Sequence, residues 1–186
     1  MKRAQDVPIY QLKVTLRDSR PPIWRRIQVA GDITLHRLHC ILQVVMGWTD
    51  SHLHGFIVRN TEYGDPDPEE DLTPMEDDRS VTLSDVAPRE KSKFIYEYDF
   101  GDGWEHAVLV EKILPPQKGT RHPVCLAGKR ACPPEDCGGI YGYYDLLEAI
   151  KNPKHERHNE LLEWVGGSYA PEAFDIDETN EALKLE

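Results

Sequence analysis

The stretch Tyr96-Glu-Tyr-Asp-Phe-Gly-Asp-Gly-Trp-Glu-His106 gathers aromatic, carboxylate and imidazole side chains around one turn. With a two-residue loop at Asp102-Gly103, Asp99 faces His106 across a hairpin. With a three-residue loop, it faces Glu105. Either register holds two ionisable groups on one face, with Cβ atoms about 5.5 Å apart. An Asp–His pair can orient an imidazole as a base or as a metal ligand. The competing expectation is a rim of solvated charge, with Asp99 and Asp102 accepting backbone N–H groups. The candidate ligand-binding surface is Tyr98, Asp99, Asp102, Trp104, Glu105 and His106. It is expected to meet the segment that carries Glu135 and Asp136. Asp99-Phe100-Gly101 repeats the magnesium triplet of kinases, but no glycine-rich phosphate loop or catalytic-loop motif accompanies it.

Metal chemistry has a second set of candidates. Cys125, Cys132 and Cys137 are separated by six and four residues, wider than most paired zinc ligands. His106 or His122 could complete a three-cysteine, one-histidine site for zinc. Otherwise the cysteines are small residues of a loop shaped by proline and glycine. His52-Leu53-His54 places two imidazoles on one face of a strand, where they could share an ion. The candidate metal set is therefore His52, His54, His106, Cys125, Cys132 and Cys137. His36 and His39, three apart on a helix, are expected on its exposed side. A separate basic cluster, Arg17, Arg20, Arg25 and Arg26 with Trp24 among them, could bind phosphates and stack bases. Its alternative is a solvated strand face.

These residues need elements to position them. Tyr10, Leu12, Val14 and Leu16 alternate with polar residues, Ile23, Arg25, Ile27 and Val29 alternate with Trp24, Arg26 and Gln28, and the Ser-Arg-Pro-Pro turn between them predicts a hairpin. Thr34 is a fitting N-cap for a helix to about Met46, with a buried stripe at Leu35, Leu38, Ile41, Leu42 and Val45 and a stop at Gly47. A strand is expected over 52–58, and Val81–Val86 could be a short helix. Phe94–Phe100 and Trp104–Leu114 read as a second hairpin. The segment from 115 to 142 is expected to be irregular. Helices follow over 143–151, over 155–165 and from about 177. The expected architecture is α+β: one domain over 1–186, with an antiparallel or mixed sheet of about five strands. Two hairpins and one strand build the sheet, and the helices packed on it are grouped toward the C-terminus.

Charge is unevenly spread. Nine acidic and no basic residues fall in 62–78, within a net charge of −11. That proline-rich stretch, at about 62–79, is expected to be a mobile loop. Residues 1–40 instead hold eight bases against three acids, which is mild support for a nucleic-acid face. No apolar run is long enough to span a membrane, and Met1-Lys-Arg-Ala-Gln-Asp lacks a signal peptide's apolar core. A cytoplasmic protein with reduced cysteines is expected, and no membrane partner.

The stretches Tyr10–Leu16, Pro22-Ile-Trp-Arg-Arg, Leu38–Trp48, Tyr98–His106, Cys132–Gly139 and Phe174-Asp together resemble the Ri-plasmid ORF-three-like family, also known as TnpR-type passenger proteins of insertion elements. The resemblance spans nearly the whole chain. It implies a single α+β domain found in prokaryotes near mobile elements, and it carries over no activity. A serine recombinase would need a nucleophilic serine among arginines and a helix-turn-helix reader. Ser19-Arg20 lies in a proline turn and no recognition helix is apparent, so recombination is not expected. The expected function is a domain that binds a protein or small-molecule ligand without classical catalysis. The alternatives are a zinc-dependent hydrolase and a nucleic-acid-binding accessory protein of mobile elements.

Overall fold

The computed structural model describes residues 7–66, 75–116, 119 and 121–185. Its centre is one mixed sheet. The alternating segments pair as expected: β1 (Ile9–Leu16) runs antiparallel to β2 (Trp24–Ala30). Helix α1 (Leu35–Met46) follows, with the Thr34 hydroxyl accepting from the Arg37 N–H and Gly47 closing it at φ 88°. Next come β3 (His54–Val58), β4 (Thr61–Gly64), β5 (Glu76–Asp77) and the short helix α2 (Leu83–Val86). Strands β6 (Lys93–Tyr98) and β7 (Trp104–Leu114) form the second hairpin, and β8 (Val124–Lys129) joins at the far edge. Helices α3 (Gly139–Lys151), α4 (His158–Trp164) and α5 (Ile176–Leu183) complete the chain.

Among the described residues the strand order is β5-β4-β3-β6-β7-β1-β2-β8, and only the β4–β5 pair is parallel. The fold is α+β, as expected, but the sheet has eight strands among the described residues where about five were anticipated. Three short or atypical strands account for the difference. β4 and β5 lie in the acidic stretch, where composition masks the pairing. β8, Val-Cys-Leu-Ala-Gly-Lys, hides in a segment whose prolines and glycines suggest irregular structure. The helices are not grouped only toward the C-terminus, because α1 and α2 precede β6.

The acidic segment expected to be mobile over about 62–79 is anchored at both ends. Glu62–Gly64 and Glu76–Asp77 are sheet residues, and Asp78 is fully buried with its N–H donating to Gly64 O. Its middle, 67–74, lies outside the described residues. Among the described residues, no helix is long and apolar enough to cross a membrane.

One sheet face carries the core. Leu12, Val14, Ile27, Phe56, Tyr96, Trp104 and Val108 pack there against Leu38, Ile41, Leu42 and Val45 of α1. Tyr143 and Leu147 of α3 and Leu183 of α5 join the same cluster. The start of α3 is built around Gly142. A Cβ there would sit 1.9 Å from the Cys137 carbonyl oxygen, a backbone atom that cannot swing away. Alanine in place of glycine inside a helix ordinarily adds about 1 kcal/mol of stability. Here the sign should reverse: Gly142→Ala is expected to destabilise by about 2 kcal/mol, read as a drop of several degrees in Tm. An unchanged or raised Tm would mean that the 132–138 loop yields freely.

Candidate functional site

The turn after β6 takes neither register expected from the sequence. Tyr98 pairs with Trp104, Glu97 with Glu105 and Tyr96 with His106, so the loop spans Asp99–Gly103. Asp99 therefore faces neither Glu105 nor His106. The physical reason is the Asp99 side chain: its Oδ1 accepts the N–H groups of Gly101 (3.0 Å) and Asp102 (3.3 Å), and its carbonyl accepts from Gly103 N–H. That winds a wider loop than a two-residue hairpin allows. His106 points into the core, fully buried. Its Nδ1 lies 3.2 Å from Tyr96 O, and its ring makes an edge contact with Trp48. Burial pulls its pKa down to about 4. Trp104 is buried beside it, and Glu105 leaves the site altogether to pair with Arg17 on the opposite, half-exposed face.

The expected meeting of this turn with the later loop is present. Gly138 N–H donates to Asp102 Oδ2 at 3.2 Å, and the Tyr98 hydroxyl donates to Glu135 Oε1 at 2.5 Å. Ser51 N–H donates to Tyr98 Oη and the Thr49 hydroxyl to Glu135. Burial would raise the Glu135 pKa, but the hydrogen bonds from Thr49 and Tyr98 outweigh it and hold the carboxylate ionised. His52 sits over this junction, with Nε2 3.1 Å from Asp136 Oδ1 and 3.6 Å from Asp99 Oδ2.

The three cysteines do not assemble. Cys132 Sγ lies between Met46 and Arg25, Cys125 Sγ approaches Ala127 O, and Cys137 Sγ approaches Gly139 O. Burial pushes the thiols up, Cys132 to about 11 and Cys137 to about 12, opposite to what a ready thiolate ligand needs. Among the described residues, no group of three close metal-ligating atoms includes a cysteine or His106.

The histidines assemble differently from the sequence expectation. His52 and His54 do not share a site. His54, at the start of β3, instead joins His36 from the first turn of α1 and Asp78 just after β5. One ligand atom from each lies within 4.8 Å of the others. His54 Nε2 is 2.8 Å from Asp78 Oδ2, and His36 Nδ1 is 3.6 Å from the same oxygen. The main chain sets this approach, since His36 N–H donates to Asp78 O. Asp78 Oδ1 and His36 Nδ1 are both buried atoms without a hydrogen bond among the described residues. Burial would raise the Asp78 pKa, but the His54 hydrogen bond and the charges of His54, His36 and Arg79 outweigh it.

His39, expected on the exposed side of α1, is instead 1% exposed. Its ring lies flat on His54, with centroids 3.4 Å apart and planes 3° from parallel. Gln43 Nε2 donates to Tyr96 Oη at 2.8 Å, which leaves the Tyr96 proton for His39 Nδ1, also at 2.8 Å. That assigns the proton of the neutral ring to Nε2, facing Asp50 Oδ1 at 2.8 Å. Burial first, then the charge of His54, lowers the His39 pKa to about 4. A neutral, doubly hydrogen-bonded His39 thus fixes the His54 ring. His36, His39, Asp50 and Asp78 are the site residues that sequence reasoning missed. The available signal was the coincidence of two histidine pairs, spaced three and two apart, on adjoining elements.

The basic cluster offers no continuous phosphate face. Arg26 grips Glu111 through two bonds of 2.7 and 2.8 Å, and Arg17 is held by Glu105. Arg25 is 2% exposed. Trp24 is half-buried, with Lys13 and Arg26 over its ring, and Arg20 is exposed.

Comparison with known proteins finds similarity to a family, to a curated relative and to a solved structure. Residues 8–178 match the family described as plasmid pRiA4b ORF-3-like protein. The uncharacterized protein y4hQ of Sinorhizobium fredii (strain NBRC 101917 / NGR234) is 44% identical over 176 residues, covering 94% of this chain and 90% of that protein. The crystal structure of MM3350, a protein of unknown function from Methanosarcina mazei Go1, superposes with a TM-score of 0.84 at 38% identity, covering 95% of this chain and 98% of that one.

Proposed function

We propose that this chain, which belongs to the plasmid pRiA4b ORF-3-like family, is a metal-dependent ligand-binding domain centred on His36, His54 and Asp78. The observation that carries this reading is the buried Asp78 carboxylate, whose Oδ1 has no hydrogen-bond partner among the described residues while two imidazoles converge on its Oδ2. Leaving a buried acceptor unsatisfied costs about 1–3 kcal/mol, more when it is charged. A divalent cation satisfies it and explains why two histidine nitrogens approach the same carboxylate.

Two imidazoles and a carboxylate suit zinc and its neighbours among divalent metals. Three protein ligands leave a tetrahedral ion one further position. His36 is the most exposed of the three, at 35% for its side chain against 9% for His54 and none for Asp78. The ligating His36 Nδ1 is itself a buried atom, so a ligand's oxygen or nitrogen donor would reach the open position past the exposed part of the His36 ring. The His39–Asp50 pair supports the centre from behind by holding the ring of His54.

Metal-free protein should bind one zinc ion at this centre in competition with a chromophoric chelator. Asp78→Asn keeps the shape and removes the charge, and should weaken that binding at least tenfold, as should His36→Ala. Equal affinity in the wild type and both variants would end this assignment. One observation, the count of three protein ligands, also favours a hydrolytic reading, because an ion with an open position can activate water. Zinc-dependent turnover of an ester or phosphoester that disappears in Asp78→Asn would support it. Zinc binding without turnover would leave the ligand-binding reading alone.

A further inference from the structure

We infer that His52, Asp99 and Asp136 form a second cation site, which shares no residue with the His36–His54–Asp78 centre and does not depend on it. One ligand atom from each of the three lies within 4.8 Å of the others. Donors that ligate one ion at about 2.0–2.2 Å stand about 3–4 Å apart, and the His52 Nε2 separations of 3.1 Å to Asp136 and 3.6 Å to Asp99 match that spacing.

Two further observations point to an ion and not to a simple polar contact. Asp99 is 93% buried, and both of its hydrogen bonds from Gly101 and Asp102 fall on Oδ1, so Oδ2 is left aimed at His52. His52 Nε2 is itself a buried atom that makes no properly directed hydrogen bond to either carboxylate among the described residues. Three ligand atoms this close, one of them a buried nitrogen without a directed hydrogen bond, are what a bound cation organises.

The donor set specifies the class of ion. Two carboxylates balance a charge of +2, and one imidazole with two oxygens suits manganese(II) or zinc(II) better than magnesium, which prefers oxygen alone. Asp136 is 70% exposed on its side chain, so water completes the coordination from that side. The three ligands come from three separate stretches: the residues before β3, the β6–β7 turn and the loop before α3. An ion here ties the Asp99–Gly103 turn to the 132–138 loop, alongside the Tyr98–Glu135 and Asp102–Gly138 contacts.

The test is manganese(II) titration of full-length, metal-free protein, followed by electron paramagnetic resonance of the free ion. Asp136→Asn alters an exposed side chain and leaves the fold intact. It should weaken one class of site at least tenfold while leaving any His36-dependent site unchanged. His52→Ala should do the same, and His36→Ala should spare this site. If Asp136→Asn and His52→Ala both bind manganese as the wild type does, the inference is overturned. It is also overturned if no manganese binds outside the His36-dependent site, in which case His52, Asp99 and Asp136 meet as a polar contact alone. Manganese binding that His36→Ala abolishes and that Asp136→Asn and His52→Ala leave unchanged would uphold the proposed function while removing this second site, so the two failures are distinguishable.

Discussion

Arg25→Ala is expected to destabilise the protein by about 3–5 kcal/mol, from buried carbonyls left without a donor and the cavity a large-to-small change leaves. Arg25 lies on β2 with 2% exposure. Its Nε donates to Val45 O at 2.7 Å, and its Nη1 donates to Trp24 O and Lys129 O at 2.9 and 3.1 Å. Val45 is in the last turn of α1, so the guanidinium satisfies a carbonyl that the helix cannot satisfy itself, and its positive charge complements the helix C-terminus. Its plane stacks on Phe174 at 4.1 Å. Space around the stem is tight, since a Cβ on Gly128 would meet Phe174 at 2.5 Å and Arg25 Cδ at 2.8 Å. Alanine would strand three carbonyls, open a cavity and release Phe174. A chain of this size loses about 2–4 °C in Tm per kcal/mol, so a fall of roughly 10 °C is expected. Arg25→Lys should recover only part of the loss, because an ammonium cannot reach carbonyls on both sides as the planar fork does. A urea-unfolding loss below about 1 kcal/mol for Arg25→Ala would show that water replaces the guanidinium, and that the residue is not a structural tie between α1, β2 and β8.

That role was half legible in the sequence. The alternation that places Ile23, Ile27 and Val29 on one face places Arg25 with them, and the structure buries all four. Composition alone drew Arg25 into a basic cluster with Arg17, Arg20 and Arg26. Periodicity was the better guide because it reports which face a side chain occupies, whereas composition reports only its charge. The same contrast runs through the fold. α1 could be read almost to the residue, from Thr34 to Gly47, because capping and the apolar stripe are local properties. β4, β5 and β8 were not legible, because short edge strands are fixed by pairing partners distant in sequence.

The site divides along the same line. That the Asp99 turn meets the Glu135–Asp136 loop followed from the density of unusual residues in both segments. Which histidine meets which carboxylate did not follow. His52 and His54 are two residues apart, yet one faces the β6–β7 turn and the other faces α1. His52 lies outside β3 in a bend, so strand alternation does not govern it. His36 and Asp78 come together only because β5 returns beside β4 and delivers Asp78 to the first turn of α1. Both candidate centres thus lie where separate segments converge. His54 and Asp78 can stay close with little strain because the sheet and the neutral His39 ring hold them in place.

Lowering the pH from 7 to 4 should cost the wild type about 3 kcal/mol of stability through His106 alone. The ring is fully buried and touches Tyr96, Trp48 and Trp104. The nearest charge that acts on it is the Arg25 guanidinium, which also disfavours a second positive charge. Burial, the largest cause, lowers its pKa from 6.5 to about 4, although the Tyr96 and Trp104 backbone acts in the opposite sense. The sign follows from proton counting. Between about pH 6.5 and 4 the unfolded chain holds a proton on this histidine and the folded chain does not, so stability rises with pH in that window. The contribution is complete above pH 6.5, declines as the pH falls, and levels off once the folded state also takes up the proton near pH 4. The interval from 6.5 to about 4 corresponds to about 3 kcal/mol at 1.36 kcal/mol per pH unit. His106→Gln can still donate to Tyr96 O but cannot titrate. Its urea-derived stability should therefore start lower at pH 7 and fall less steeply, so that the curves for variant and wild type converge toward pH 4. Parallel curves across this range would mean that His106 gains a compensating proton acceptor when the core is acidified, and that the ring is less isolated than its packing between Trp48 and Tyr96 implies.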